Sequence, residues 1–213
     1  MGRVNGGHVV LLGDSILDNG AYVGGEPDVV AQVGNALPEG WSATLLAVDG
    51  DVISGVRRQL SGCPDDATHL VVSAGGNDAL GFAYLLNAPV SSVAEAIATL
   101  GAQQVPFTAA YEEMLDAVLA TGLPVAVCTI YDTPRSAPSH AVIRSAIGLF
   151  NDCITRAAFA RGVDLLDLRL ICSEDADYAN PIEPSSAGGR KIARAIAEWA
   201  TGDQDPSLSR VIR

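Results

Sequence analysis

Residues 8–20 read HVVLLGDSILDNG, and the architecture turns on where the strand in this stretch stops. Val9 to Leu12 are apolar without alternation, the pattern of a strand buried on both faces. Gly13 punctuates the run, and a polar stretch containing Asp, Asn and Gly follows it. Ser15 therefore stands just past the carboxyl end of a buried strand, where a hydroxyl nucleophile can be presented from a turn.

The same alternation recurs along the chain. SATLLAV (42–48), THLVVSAG (68–75), LPVAVCTIY (123–131) and VDLLDL (163–168) read as further strands. Between and after them, residues 27–37, 52–62, 90–122, 141–162 and 185–202 carry apolar residues at helical spacing. Pro106 is expected to break or kink the long third helix. Strand followed by helix, five times over, predicts one three-layer α/β domain over residues 1–213, with a parallel sheet and right-handed crossovers. No internal repeat or linker divides the chain, and the polar tail DQDPSLSRVIR (203–213) is expected to be mobile at its end.

Composition narrows the function classes. The chain has 213 residues, of which 48% are hydrophobic and 18% charged, which describes an ordered protein able to bury a core. A formal net charge of −12 argues against nucleic acid, polyanionic substrates and anionic membrane surfaces as partners. The N-terminal apolar run is too short for a secretory leader or a membrane span, so a cytoplasmic location is expected. Cys63, Cys128, Cys153 and Cys172 show no metal-ligand spacing. Cys128 and Cys153 read as buried thiols, and a Cys63–Cys172 bridge is compatible with the sequence. Neither a metal nor an organic cofactor is implied, and no phosphate-binding glycine loop is present. No heptad or apolar patch specifies an oligomer.

In parallel α/β sheets, ligands sit beyond the carboxyl ends of the strands. The first strand is followed there by Asp14-Ser15, the second by DGD with Gly50, and the third by GGND with Asn77. Singly, these read as an N-cap and two turns. Together they supply a hydroxyl and several donors for a developing oxyanion, the set that acyl transfer requires. Asp14 and Asp18, flanking the serine, read as capping and solvated carboxylates.

With GDSI, Gly50 in VDGD and GGND in this order, the sequence resembles the SGNH hydrolases, also called the GDSL esterase/lipase family. The resemblance implies a flavodoxin-like, five-stranded parallel sheet of order 2-1-3-4-5 and hydrolysis of a small-molecule ester. It implies Ser15 as nucleophile. It also implies an oxyanion hole made by the N–H groups of Ser15 and Gly50 and the side chain of Asn77.

The chain departs from that family at its last block. The family has D-x-x-H-P before the final helix, where this chain reads NPIEPSSAGGRKIA. Aligned on Pro184, Glu183 stands in place of the histidine and Asn180 in place of the aspartate. Three readings stay open. Glu183 is the general base, with Asn180 donating to it; its ordinary pKa is roughly 2 units below that of His, about 3 kcal/mol of proton affinity, and burial would recover part of that. Alternatively the base is His140, after the fourth strand, since His8 and His69 open their strands at the opposite end of the sheet. Or the scaffold binds a ligand without turnover. As an ordinary structural residue, Glu183 would be an acid at a helix entry, favoured by the macrodipole.

Overall fold

The computed structural model describes residues 6–202 and 210–212. In chain order the strands are β1 (His8–Gly13), β2 (Ser42–Leu45), β3 (His69–Ser73), β4 (Val125–Cys128), β5 (Asp164–Leu166), β6 (Tyr178–Asn180), β7 (Glu183–Pro184) and β8 (Val211–Ile212). The helices are α1 (Val29–Ala36), α2 (Val56–Leu60), α3 (Gly76–Leu80), α4 (Val93–Gly101), α5 (Gln104–Leu119), α6 (His140–Ala160), α7 (Leu168–Ile171) and α8 (Ser186–Thr201). The main sheet is parallel throughout, with order β2-β1-β3-β4-β5-β8. The expected 2-1-3-4-5 order is thus extended by one edge strand.

That extra strand corrects the reading of the tail. Val211 and Ile212 pair with Leu165 and Leu166. Arg210 N–H donates to Asp164 Oδ1 at 2.6 Å. Residues 203–209 and 213, the rest of the segment expected to be mobile, lie outside the described residues. A two-residue strand is too short to carry periodicity, so nothing in the sequence announced it.

Alternation along β1 divides the core. Val9 and Leu11 pack with Val29, Val33, Ile192, Ile196 and Trp199, from α1 and α8. Val10 and Leu12 pack on the other face with Tyr111, Leu115, Phe150 and Ile154, from α5 and α6. All six residues of β1 are buried, as its continuous apolar run requires. The Cys63–Cys172 bridge does not form for this reason: Cys63 packs against the α5/α6 core and Cys172 belongs to the α1/α8 core, on opposite faces of the sheet. All four cysteines are free thiols.

The long helix expected over residues 90–122 is two helices, α4 and α5, divided at Ala102–Gln103. Pro106 neither breaks nor kinks α5. It lies in the first turn, where the N–H it lacks would have had no partner within the helix.

Candidate active site

The turn carrying Ser15 is fixed from three sides. Gly13 has φ +124°, and a Cβ there would lie 1.7 Å from the Ser73 carbonyl oxygen of β3, so only glycine fits. The Gly13 N–H donates to Gln59 Oε1 at 2.7 Å, and Gln59 Nε2 donates back to the Gly13 carbonyl at 2.8 Å. Asp14 N–H then donates to Ser73 O at 3.0 Å. The buried amide of Gln59 thus completes the end of β1, and the chain leaves the sheet with Ser15 in its first loop.

Glu183 reaches this serine from 168 residues away. Ser15 Oγ donates to Glu183 Oε1 at 3.0 Å, and both residues are buried. Glu183 opens β7, the second strand of a short antiparallel hairpin with β6 that delivers the chain into α8. Ser185 caps that helix by accepting from Gly188 N–H. Glu183 stands at the entry to α8, as the sequence places it, and its carboxylate meets the serine hydroxyl. Burial pushes its pKa upward, Asp49 adds to the rise, and the Ser15 hydrogen bond opposes it.

The structure does not give Asn180 the orienting part expected of it. The register sets Asn180 opposite Glu183. The Asn180 side chain, however, turns back and accepts from Ile182 N–H at 2.9 Å, a local Asx-type closure of the hairpin. Glu183 Oε2 is buried with no hydrogen-bond partner among the described residues. What holds Glu183 is the backbone on either side. Tyr131 Oη donates to Ile182 O at 3.0 Å, and Asn19 Nδ2 donates to Pro184 O at 3.2 Å. Asn19, fully buried, also accepts from Val29 N–H at the start of α1. Neither clamp is legible in the sequence. Asn19 lies within the opening stretch itself, where it read only as part of a polar turn.

Of the residues expected as oxyanion donors, the structure brings some together. Asn77, in α3, donates from Nδ2 to Asp51 O at 2.8 Å, which leaves that amide one further N–H. Asp78 accepts from Ile53 N–H at 3.0 Å, a second tie between the same two loops. Asp51 is anchored in turn by Gln59 Nε2 and Arg58, both at 2.8 Å. Gly50 occupies an exposed turn with φ +78°. Ser15, Asn77 and Glu183 line one cavity; Gly50 and Asn180 are not part of its wall.

Asp14 departs from its expected role as a solvated flank. It is buried, accepting from Ile16 N–H at 3.2 Å and from Ser73 Oγ at 3.4 Å. Loss of hydration, helped by the nearby Glu183 charge, pushes its pKa up to about 7. Among the described residues Asp18 caps no helix; its carboxylate accepts from Asp49 N–H at 2.9 Å, tying the serine loop to the loop after β2.

The three histidines are engaged elsewhere. His140 begins α6 with Nδ1 2.9 Å from the Thr133 carbonyl, and it does not line the cavity. His8 Nδ1 lies 2.9 Å from Asp66 and its Nε2 2.7 Å from Thr44 Oγ1. His69 sits between the rings of Trp41 and Trp199. The last two open β1 and β3, at the end of the sheet away from Ser15.

The fold defines the class: a parallel three-layer α/β domain, here with a serine just past β1 whose hydroxyl meets a buried carboxylate. More specifically, residues 11–201 match the model of the GDSL-like lipase/acylhydrolase family, and the chain belongs to that family, whose activity is ester hydrolysis. Among solved structures, the fold is similar to an extracellular lipase from Streptomyces rimosus (TM-score 0.69, 18% identity, 92% of this chain and 100% of that one). It is also similar to phospholipase A1 from Streptomyces albidoflavus NA297 (0.66, 20%, 92% and 99%). An acetyl xylan esterase from Geobacillus stearothermophilus shares the fold as well (0.65, 14%, 94% and 97%). No curated protein matches the sequence. Among the described residues, no helix is long and apolar enough to cross a membrane.

Proposed function

We propose that the protein hydrolyses carboxylic esters of small molecules through an acyl-enzyme on Ser15, with Glu183 as the general base. The observation that carries this reading is the 3.0 Å hydrogen bond from the serine hydroxyl to a buried carboxylate. A candidate base has to lie within hydrogen-bond reach of the proton it takes.

Ser15 Oγ attacks the ester carbonyl as its proton passes to Glu183 Oε1. The carbonyl oxygen becomes an oxyanion, met by the free N–H of Asn77 and by the N–H groups of Ser15 and Gly50. The protonated Glu183 then gives its proton to the departing alkoxide, the C–O bond breaks, and an alcohol leaves. Water repeats the sequence on the acyl-enzyme, with Glu183 again taking the proton, and releases the acid. Carboxylate is the weaker base, and its raised pKa narrows the gap to imidazole. With Asn180 turned away, orientation of the base falls to the Tyr131 and Asn19 clamps.

Glu183→Gln keeps the size of the side chain and removes its basicity. It is expected to lower kcat on p-nitrophenyl acetate by about 10²–10⁴-fold and to abolish the acid limb of the pH–rate profile. Ser15→Ala should remove both turnover and labelling by a fluorophosphonate. Wild-type protein that neither turns over esters nor takes the label would overturn the reading in favour of a non-catalytic ligand-binding scaffold. A limb lost in His140→Ala and retained in Glu183→Gln would move the base to His140.

A further inference from the structure

We propose that the cavity beside Ser15 seats a linear, uncharged acyl chain of about six carbons, so that the substrates are esters of medium-chain fatty acids. This rests on the ester-hydrolase reading above and names its substrate class.

The cavity is lined at its polar end by Ser15, Asn77 and Glu183 and elsewhere by apolar side chains. Phe82, Leu86 and Leu100 contribute from the stretch between α3 and α5, and Ile143, Ile147 and Phe150 from α6, with the Phe82 and Phe150 rings stacked at 5.9 Å where the two linings meet. Its volume is ≈ 180 Å³. An apolar cavity of roughly 150 Å³ accommodates a six-carbon ring. An acetyl group, with a single methyl beyond the carbonyl, would leave most of this space unfilled, and hydrocarbon walls offer water too few partners to replace it.

Few polar groups line the walls, and most of them already have partners within the protein. Thr129 Oγ1 donates to Asp167 at 3.1 Å and accepts from Leu168 N–H at 3.0 Å. Thr133 Oγ1 lies 3.3 Å from His140 Nδ1. A sugar ring would exchange its water hydrogen bonds for hydrocarbon there, which is unfavourable. No Lys, Arg or His is among the described residues lining the cavity, and its carboxyl groups are Asp14 and Glu183, so an anionic group on the chain would be repelled. The acyl part stays bound through both chemical steps, whereas the alcohol must leave and water must enter. The cavity therefore suits the acyl part.

The test is a series of p-nitrophenyl esters from acetate to decanoate. Each buried methylene is expected to raise kcat/KM about fourfold, so hexanoate should exceed acetate by roughly 100-fold once incomplete burial is allowed for. Ile147→Trp, which fills the cavity, should lower the hexanoate-to-acetate ratio at least tenfold. Leu86→Trp, on the more exposed wall, should lower it in the same direction should the first variant not fold. A flat or acetate-preferring profile with Ser15-dependent turnover would overturn the chain proposal and leave the hydrolase reading standing. A flat acyl profile with octyl acetate strongly preferred over ethyl acetate would assign the cavity to the alcohol and overturn it too. Absence of Ser15-dependent turnover on every ester would remove both readings.

Discussion

Two buried carboxyls beside one hydroxyl make the residue scale an electrostatic question. Burial, and after it the neighbouring Glu183 carboxylate, raise the cost of charging Asp14, and with its pKa at about 7 much of Asp14 is protonated at neutral pH. An acid raised above its unfolded value holds more protons in the native state between the two pKa values. Its contribution to stability is therefore full at low pH and declines as pH rises from about 4 to about 7. At pH 8 the buried charge costs about 4 kcal/mol, an order-of-magnitude figure. Asp14→Asn, which keeps an acceptor for the Ile16 N–H, should melt well above wild type at pH 8 and close to it at pH 4. Thermal denaturation at the two pH values checks this, and an equal offset at both would contradict it. The clamp on the Ile182 carbonyl gives a second expectation. Tyr131→Phe should lower kcat about fivefold, the worth of roughly 1 kcal/mol of hydrogen bonding, with KM little changed. Steady-state kinetics on one ester decides it. Ser15 and Glu183 were legible because short motifs fix their place relative to a strand and a helix. The clamps were not, because Tyr131 meets its carbonyl across 51 residues and Asn19 across 165.

At the scale of elements, the strands were readable because a parallel sheet buried on both faces leaves uninterrupted apolar runs in the sequence. The stretch between α3 and α5 was not. The 3₁₀ turn Ala83–Asn87 and α4 contain no buried residue, although Phe82, Leu86 and Leu100 face the cavity. Their apolar positions imitate a continuation of α5, whose inward face buries Phe107, Tyr111, Met114, Leu115 and Val118. Periodicity reports which side of a helix is apolar, and says little about how much covers it. A segment with so little burial opens at low cost. Amides of residues 83–101 should exchange at least tenfold faster than those of α5 and α8 in hydrogen–deuterium exchange, and comparable protection would contradict the assignment. The β6–β7 hairpin and β8 escaped notice for a different reason: two or three residues cannot display a period.

For the molecule as a whole, one carboxylate ties the last elements together. Asp164 opens β5, accepting from Trp199 Nε1 of α8 at 2.8 Å and from Arg210 Nη2 beside β8 at 2.8 Å. Losing it leaves a largely buried cation and a buried indole N–H without that acceptor. Asp164→Ala should therefore cost about 3 kcal/mol, discounted from the fully buried case because Arg210 retains some contact with water. For a chain of this size that is a fall in Tm of roughly 6–12 °C. KM on a p-nitrophenyl ester should be unaffected, because Asp164 lies at the start of β5, at the far end of the sheet from Ser15. Calorimetry and kinetics on the same preparation separate the two.

The absent side chain at Gly13 sets a boundary on how this molecule can be varied. Any larger residue would have to push β1 away from the Ser73 carbonyl, and both the serine turn and the GGND loop hang from those two strand ends. A saturation library at this codon, selected for ester cleavage, is thus expected to return glycine alone, whereas codons for the apolar walls accept many replacements.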